Sequence, residues 1–312
     1  MRHATATLVL LATLLLLVLT MVAPTDQAAA GEARPPSGEL RVMTYNIRFG
    51  SANDGLDAWP VRRARVVATI KDLAPDILAI QEAESFQVAE LLAAFPRYAA
   101  IGTHRDDGRL AGEGCITLYD RERFLVTDAG VFWMSETPDT PGSISWDSSL
   151  PRIASWARFV DLTTAAPLLV YNTHYDHQGQ VARERSSELI LHHISAHAGA
   201  DDTIVVAGDL NADESNTAYL SLIDSTQSPA PLINAFRAVH PQQMAGTYTA
   251  FDTTSDGGSR MIDHVLIAGA ATILDAGIDR RKIDGRYPSD HFPVWVDLTG
   301  SAQQLHPGDA QR

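Results

Sequence analysis

The amino-acid sequence predicts an α/β fold in which two packed β-sheets are flanked by helices. Two observations carry that expectation. Short apolar runs bounded by turn residues recur along the chain, and only three longer segments show helical periodicity. In chain order, strands are expected over 40–47, 77–81, 98–102, 115–119, 130–134, 154–161, 168–174, 203–208, 261–267 and 292–298, each rich in Val, Ile, Leu or aromatic residues. A helix is expected over 60–73, where Val66, Val67, Ile70 and Leu73 recur at helical spacing. A second fits 86–95. The third fits 181–197, where Leu189, Ile190, Ile194 and His197 repeat in the same way.

The two ends stand apart from this pattern. Arg2 and His3 precede an apolar run from Leu8 to Val22, and Ala28, Ala29 and Ala30 then supply a small-residue cleavage site. Residues 1–30 therefore read as a signal peptide and the protein as secreted. The alternative is an uncleaved membrane anchor, because the run approaches spanning length. Residues 31–38 read as a Pro/Gly/Ala-rich linker, and 299–312 as a polar, flexible tail. Between them 39–298 form one domain, with no repeat or long low-complexity stretch.

The whole chain carries a net charge of −14. Removing Arg2 and Asp26 with the leader leaves that balance unchanged, at 37 acids against 23 bases. A protein that grips duplex DNA by its phosphates normally presents a basic face. The balance argues against a dedicated nucleic-acid binder, leaves nucleic acid open as a substrate, and is compatible with acids acting as metal ligands. Cys115 is the only cysteine, so no intrachain disulfide can form.

Polar residues of chemical interest fall repeatedly at the C-terminal ends of the expected strands, where they can converge on one rim: Asn46, Gln81 with Glu82, His174, and Asp209 with Asn211. Asp209 and Asn211 are two apart and project to the same side. They suit a general base or metal ligand beside an amide that orients phosphate or water, and they equally suit an Asx turn closing a strand. Asp290 and His291, between Pro288 and Pro293, offer a metal ligand and a catalytic imidazole, or a polar turn. Asp263 interrupts an apolar strand, and a buried carboxylate is costly unless paired. Its expected partner is His291 rather than His264, which should point to the opposite face. Glu82 ends another buried run, and such oxygen donors suit Mg²⁺ or Mn²⁺. Asn46 can help hold metal or scissile phosphate. His174 can bond a phosphoryl oxygen or help the leaving group depart, whereas His177 fits a solvated loop.

The ordered set Tyr45-Asn46, Gln81-Glu82, Asn172-Thr173-His174, Gly208-Asp209-Leu210-Asn211, Ile262-Asp263-His264 and Ser289-Asp290-His291 resembles the endonuclease/exonuclease/phosphatase superfamily. The resemblance covers nearly all of the chain after the leader. It implies a DNase I-like four-layer α/β sandwich, two mixed sheets stacked between helices, and Mg²⁺-assisted hydrolysis of a phosphate ester. By this likeness Glu82 binds the metal with Asn46 and Asp290 nearby. Asp209 activates water, Asn211 and His174 contact phosphate, and Asp263 orients His291. Further segments are similar to a secreted bacterial branch related to deadenylase-like hydrolases: Trp59-Pro60 with Arg62-Arg63, Arg105-Asp106-Asp107-Gly108, Gly112-Glu113, 135–142, Trp146-Asp147 and Pro151-Arg152. Arg152 is a candidate phosphate clamp, since a guanidinium matches phosphate geometry, or else half of a surface ion pair.

One position departs from the pattern. Members resembling abasic-site nucleases carry an acid two residues after the strand-end Asn, and here Arg48 stands there. A cation at that place favours one metal over two, or makes Arg48 a phosphate contact. The expected activity is a secreted metal-dependent phosphoesterase with no lasting membrane partner. A secreted nuclease, a sphingomyelinase-type phospholipase and a non-catalytic binding module on the same fold are the alternatives. Substrate choice is expected in the loops 103–114 and 135–151, with Trp133, Trp146 and Trp156 as stacking candidates or core filler.

Overall fold

Two six-stranded sheets pack face to face, and helices cover their outer faces. The computed structural model describes residues 39–224, 226 and 231–299. The first sheet contains β1 (Glu39–Asn46), β2 (Ile77–Ala83), β3 (Tyr98–His104), β4 (Gly114–Asp120), β11 (Thr272–Ile278) and β12 (Val294–Thr299), in the order β11-β12-β1-β2-β4-β3. The second contains β5 (Phe124–Trp133), β6 (Ile153–Asp161), β7 (Pro167–His174), β8 (Thr203–Asp209), β9 (Ile233–Asn234) and β10 (Asp263–Gly269), in the order β5-β6-β7-β8-β10-β9. Both sheets are mixed: β1–β2 and β7–β8 pair in parallel within otherwise antiparallel surroundings. A parallel pair needs a crossover, supplied by α1 (Trp59–Leu73) and α3 (Gln180–His197) respectively. The expected signal peptide, linker and tail lie outside the described residues, apart from Thr299.

Period-two alternation sets the layers. In β1, Leu40 and Val42 enter the core between the sheets, where they join Phe159, Val170 and Val205. Their neighbours Met43 and Tyr45 pack instead with residues of α1 and α2 (Ser85–Ala94). In β8, Val205 and Ala207 face inward while Ile204 and Val206 meet α3 and α4 (Thr217–Ile223). These four layers are the sandwich that the sequence predicts.

Several elements differ from expectation, each for a local reason. The short helices α4 and α5 (Ala235–Val239) start on Asn216 and Asn234, whose side chains accept the N–H of Ala218 and Arg237, and both are too short to display periodicity. Strand β11 and the early part of β5 are edge strands with few buried residues, so neither forms an apolar run. Strand β10 begins at Asp263, because Thr247 Oγ1 accepts the N–H groups of Ile262 and Asp263. Pro293 has no N–H, and the β12 ladder starts after it.

The alternation also positions the site. In each of five strands the inward column that begins with core residues ends in a polar one: Asn46, Gln81, His174 and Asp209 at their strands' C-terminal ends, Asp263 at the start of antiparallel β10. All five are buried and lie at the same end of the sandwich.

Candidate functional site

In the second sheet, His174 pairs in register with Asp209, and Asp209 with Asp263. A row of imidazole, carboxylate and carboxylate therefore crosses three adjacent strands. Gly208 makes this row possible. A Cβ there would lie 2.0 Å from Thr173 O, so only glycine lets β8 approach β7 this closely at φ 155°. Across the sandwich, Asn46 pairs with Gln81, whose Nε2 donates to Asn172 Oδ1 (2.8 Å) and so links the two sheets.

Glu82 should face the helices by simple alternation. Its φ of 59° and a register break between Ile80 and Ala83 turn it back toward the site. Asp290 and His291 arrive on the segment before β12. That segment is pinned by Ser289 Oγ donating to Asn46 O (2.8 Å) and by Thr249 N donating to Asp290 O (2.7 Å).

Asn46 is the hub. Its Nδ2 donates to Glu82 Oε1 (2.9 Å) and Asp209 Oδ2 (3.0 Å), and lies 3.4 Å from His291 Nε2. Its Oδ1 accepts from Arg48 N (3.0 Å), which fixes the orientation of the amide. In this arrangement Asn46 presents N–H to the carboxylates, with its Oδ1 turned to Arg48 N. Asp209 Oδ1 accepts from Asn211 N (2.8 Å), while its Oδ2 lies 3.5 Å from His174 Nε2 and 3.7 Å from His291 Nε2. Asn211, at φ 46°, donates its Nδ2 to Tyr175 O (3.0 Å). His291 Nδ1 lies 2.8 Å from Asp263 Oδ2, the pairing expected, and His264 turns to the other face and reaches Ala212 O (3.0 Å).

Burial and these charges set the protonation states. Desolvation, then the charge of Asp263, raises Asp209 to about 7. Burial disfavours a charged His291, but Asp263 and Asp209 outweigh it and hold that imidazole well above its ordinary value. His174 behaves oppositely: burial, with Arg152 and Arg105 nearby, holds it well below. Without a metal, the Asp263 side of Asp209 therefore favours a cationic imidazole and the Arg152 side a neutral one.

A cavity of about 570 Å³ opens over these groups, lined also by Arg48, Glu113, Arg152, Tyr248 and Asp290. Arg152 is buried. Its Nη2 donates to His177 Nδ1 (3.1 Å), its Nε reaches Asp176 Oδ2 (3.5 Å), and its Nη1 has no partner. His177 is thus a partner of that guanidinium rather than only a solvated loop residue. Glu113 accepts from Arg105 Nη2 (2.7 Å), and burial followed by repulsion from Glu82 pushes it up to about 7. Two members of the site were not assigned to it from the sequence: Glu113, seen only within a resembling segment, and Tyr248. Glu113 stands just before a strand rather than after one. Tyr248, whose ring lies 4.8 Å from that of His291, sits in a loop without periodicity. Of the two readings of the tryptophans, Trp133 follows the core one: no tryptophan lines the cavity, and Trp133 is buried with its Nε1 donating to Arg105 O (2.7 Å).

The donor set fits a hard divalent cation. Ligand atoms of Glu82, His174 and Asp209 lie within 4.8 Å of one another. Burial and the facing Glu82 raise Asp290, against the pull of His291 and Arg48, so negative charge is in excess on this side. Oxygen-rich, half-enclosed sites of this kind suit Mg²⁺ or Mn²⁺. Asp290, expected as a ligand, stands outside the 4.8 Å group, and Arg48 lies between it and Glu82.

Comparison with known proteins agrees with this fold. An endonuclease/exonuclease/phosphatase from Bacteroides vulgatus is 32% identical, with a TM-score of 0.76 over 84% of this chain and 99% of its own. A mannosyl-6-phosphatase from Bacteroides thetaiotaomicron is 30% identical, with a TM-score of 0.75 over 83% of this chain and 99% of its own. The human Nocturnin catalytic domain is 19% identical (TM-score 0.66, covering 85% of this chain and 95% of that one) and shares the fold. The Endonuclease/Exonuclease/phosphatase family model matches residues 43–291, from β1 through His291, and the chain belongs to that family.

Proposed function

We propose that this chain is an exported, divalent-metal-dependent hydrolase of small phosphate esters. The observation that carries the reading is the setting of Asp209, a buried carboxylate held by Asn46 and Asn211, with His174 on one side and the Asp263-paired His291 on the other. A fixed carboxylate at the floor of a cavity is placed to take a proton from water. Asp209 is aimed by Asn46 and Asn211, and takes a proton as the water oxygen bonds to phosphorus. The P–O bond to the leaving group then breaks, and the departing oxygen takes its proton from solvent. His291, kept cationic by Asp263, donates from Nε2 to a phosphoryl oxygen, and Arg152, which lines the cavity, adds positive charge beside it. Neutral His174 serves as a hydrogen-bonding partner for phosphate rather than an acid. A cation held by Glu82 and its neighbours would neutralise phosphate charge and lower the pKa of water.

Two features favour a small substrate over a polynucleotide. The net charge of −14 opposes a polyanionic strand. The likeness to the mannosyl-6-phosphatase spans nearly all of that protein, which supports a phosphorylated sugar. The charged start, apolar run and alanine cluster at the N-terminus support export.

A panel of p-nitrophenyl phosphate, mannose 6-phosphate, bis-p-nitrophenyl phosphate, plasmid DNA, RNA and sphingomyelin separates the readings. Turnover of the monoesters with Mg²⁺ or Mn²⁺, abolished by EDTA, is the expected result. Preferential degradation of DNA or RNA would replace the small-ester reading with a nuclease. Absence of metal-dependent turnover on every member would remove the hydrolase reading itself.

A further inference from the structure

Arg48 lies just past β1 in a conformation that residues with a side chain rarely adopt, with φ at 57°. Three hydrogen bonds hold it there. Its N–H donates to Asn46 Oδ1 (3.0 Å), and its carbonyl accepts from Arg62 Nη2 (2.7 Å) and Gln87 Nε2 (3.0 Å). Arg62 is itself fully buried, so this clamp belongs to the rigid interior. Backbone strain persists only where surrounding structure over-determines it, and it concentrates at functional sites.

The strained backbone aims the guanidinium at the site. Nη1 comes to 4.0 Å from Glu82 Oε2, and Nε to 4.0 Å from Asp290 Oδ2. Closer contacts lie on the other side, where Nε and Nη2 each donate to Asp54 at 3.1 Å and the Phe49 ring lies 4.4 Å from the guanidinium carbon. Arg48 therefore has a firm partner in Asp54 and two loose ones across the cavity rim. It can surrender the loose pair without losing the firm one. An arginine charge cannot be titrated away, so it is present at every working pH.

We propose that Arg48 is a resident counter-cation, which competes with the divalent metal for Glu82 and so confines the site to one weakly held ion. This rests on the metal-dependent reading above. The physical basis is repulsion between like charges a few ångströms apart in a partly buried setting. With the cation away, Arg48 offsets the crowding of Glu82 and Asp290. As the cation enters, the guanidinium withdraws onto Asp54, which keeps the ion exchangeable.

Titration of the full chain with Mn²⁺, followed by the electron paramagnetic resonance of free Mn²⁺, reads affinity and stoichiometry without any turnover. The wild type is expected to bind one Mn²⁺ per chain. Arg48→Met keeps an apolar stem beside Phe49, and Arg48→Gly suits the left-handed backbone. Both are expected to bind Mn²⁺ at least about tenfold more tightly. Asp54→Asn removes the firm partner and leaves the guanidinium to Glu82 and Asp290, so it is expected to weaken Mn²⁺ binding. Arg48 variants with wild-type circular dichroism but unchanged or weaker Mn²⁺ affinity would overturn the proposal. Should neither Arg48 variant fold, an Asp54→Asn chain that binds Mn²⁺ as tightly as wild type overturns it. A wild-type chain that binds no Mn²⁺ overturns the metal-dependent reading first, and this one with it.

Discussion

Asp209→Asn is expected to lower kcat on a phosphate ester by about 10³-fold with the fold retained. The amide is isosteric with the carboxylate but cannot accept a proton from water. The same substitution should change the pH dependence of stability in the metal-free protein. Burial and Asp263 raise Asp209 from 3.8 to about 7, so between those values the folded chain binds a proton that the unfolded chain has released. Ionising Asp209 therefore works against folding. Its contribution is absent below about 4, grows as pH rises, and is complete above about 7. Wild-type stability should consequently fall more steeply between pH 4 and 7 than that of Asp209→Asn. Thermal unfolding in EDTA across this range, beside kcat at one pH, measures both effects. A variant that keeps most of its turnover removes Asp209 from the role of base.

Disrupting the Asp263–His291 pair should be nearly as damaging. His291→Ala is expected to cost about 10³-fold in kcat and Asp263→Asn about 10²-fold. Asp263 is completely buried, and its Oδ2 lies 2.8 Å from His291 Nδ1, so its charge holds the imidazole both oriented and protonated. The sign follows from that raised value. A cationic His291 is fully populated below its ordinary range and is lost only as pH climbs through its much higher folded value. Wild-type activity should therefore persist into alkaline pH, while Asp263→Asn should lose activity at lower pH because the imidazole gives up its proton sooner. The double variant should be no worse than His291→Ala alone, since the two residues act as a unit. Full additivity of the two losses would show that Asp263 acts independently of His291.

Much of this site was legible in the sequence for one reason: strand alternation is readable. Leu40, Val42 and Asn46 share a parity, as do Val205, Ala207 and Asp209, so the inward column and its polar terminus could be followed without coordinates. The same logic turned His264 away from Asp263. It failed where the backbone leaves regularity. Glu82 has the wrong parity and reaches the site only through its positive φ and the register break beside it. Tyr248 and Glu113 enter from loops whose paths depend on tertiary contacts, and the short α4 and α5 depend on asparagine caps rather than an apolar stripe. Trp133 and Trp156 took the core alternative, since a large apolar side chain more often fills a core than binds a ligand. Arg48 was visible as an unexpected cation, but its clamp joins Asn46, two residues away, to Arg62 and Gln87, which only the folded chain brings near.

Hydrolysis in ¹⁸O-enriched water tests most directly whether water attacks phosphorus with the help of a metal. With Mg²⁺ present, each phosphate released by a single turnover is expected to carry one ¹⁸O, the departing alcohol none, and EDTA should arrest the reaction. Label in the alcohol, or turnover that EDTA leaves unchanged, would contradict metal-assisted attack of water on phosphorus.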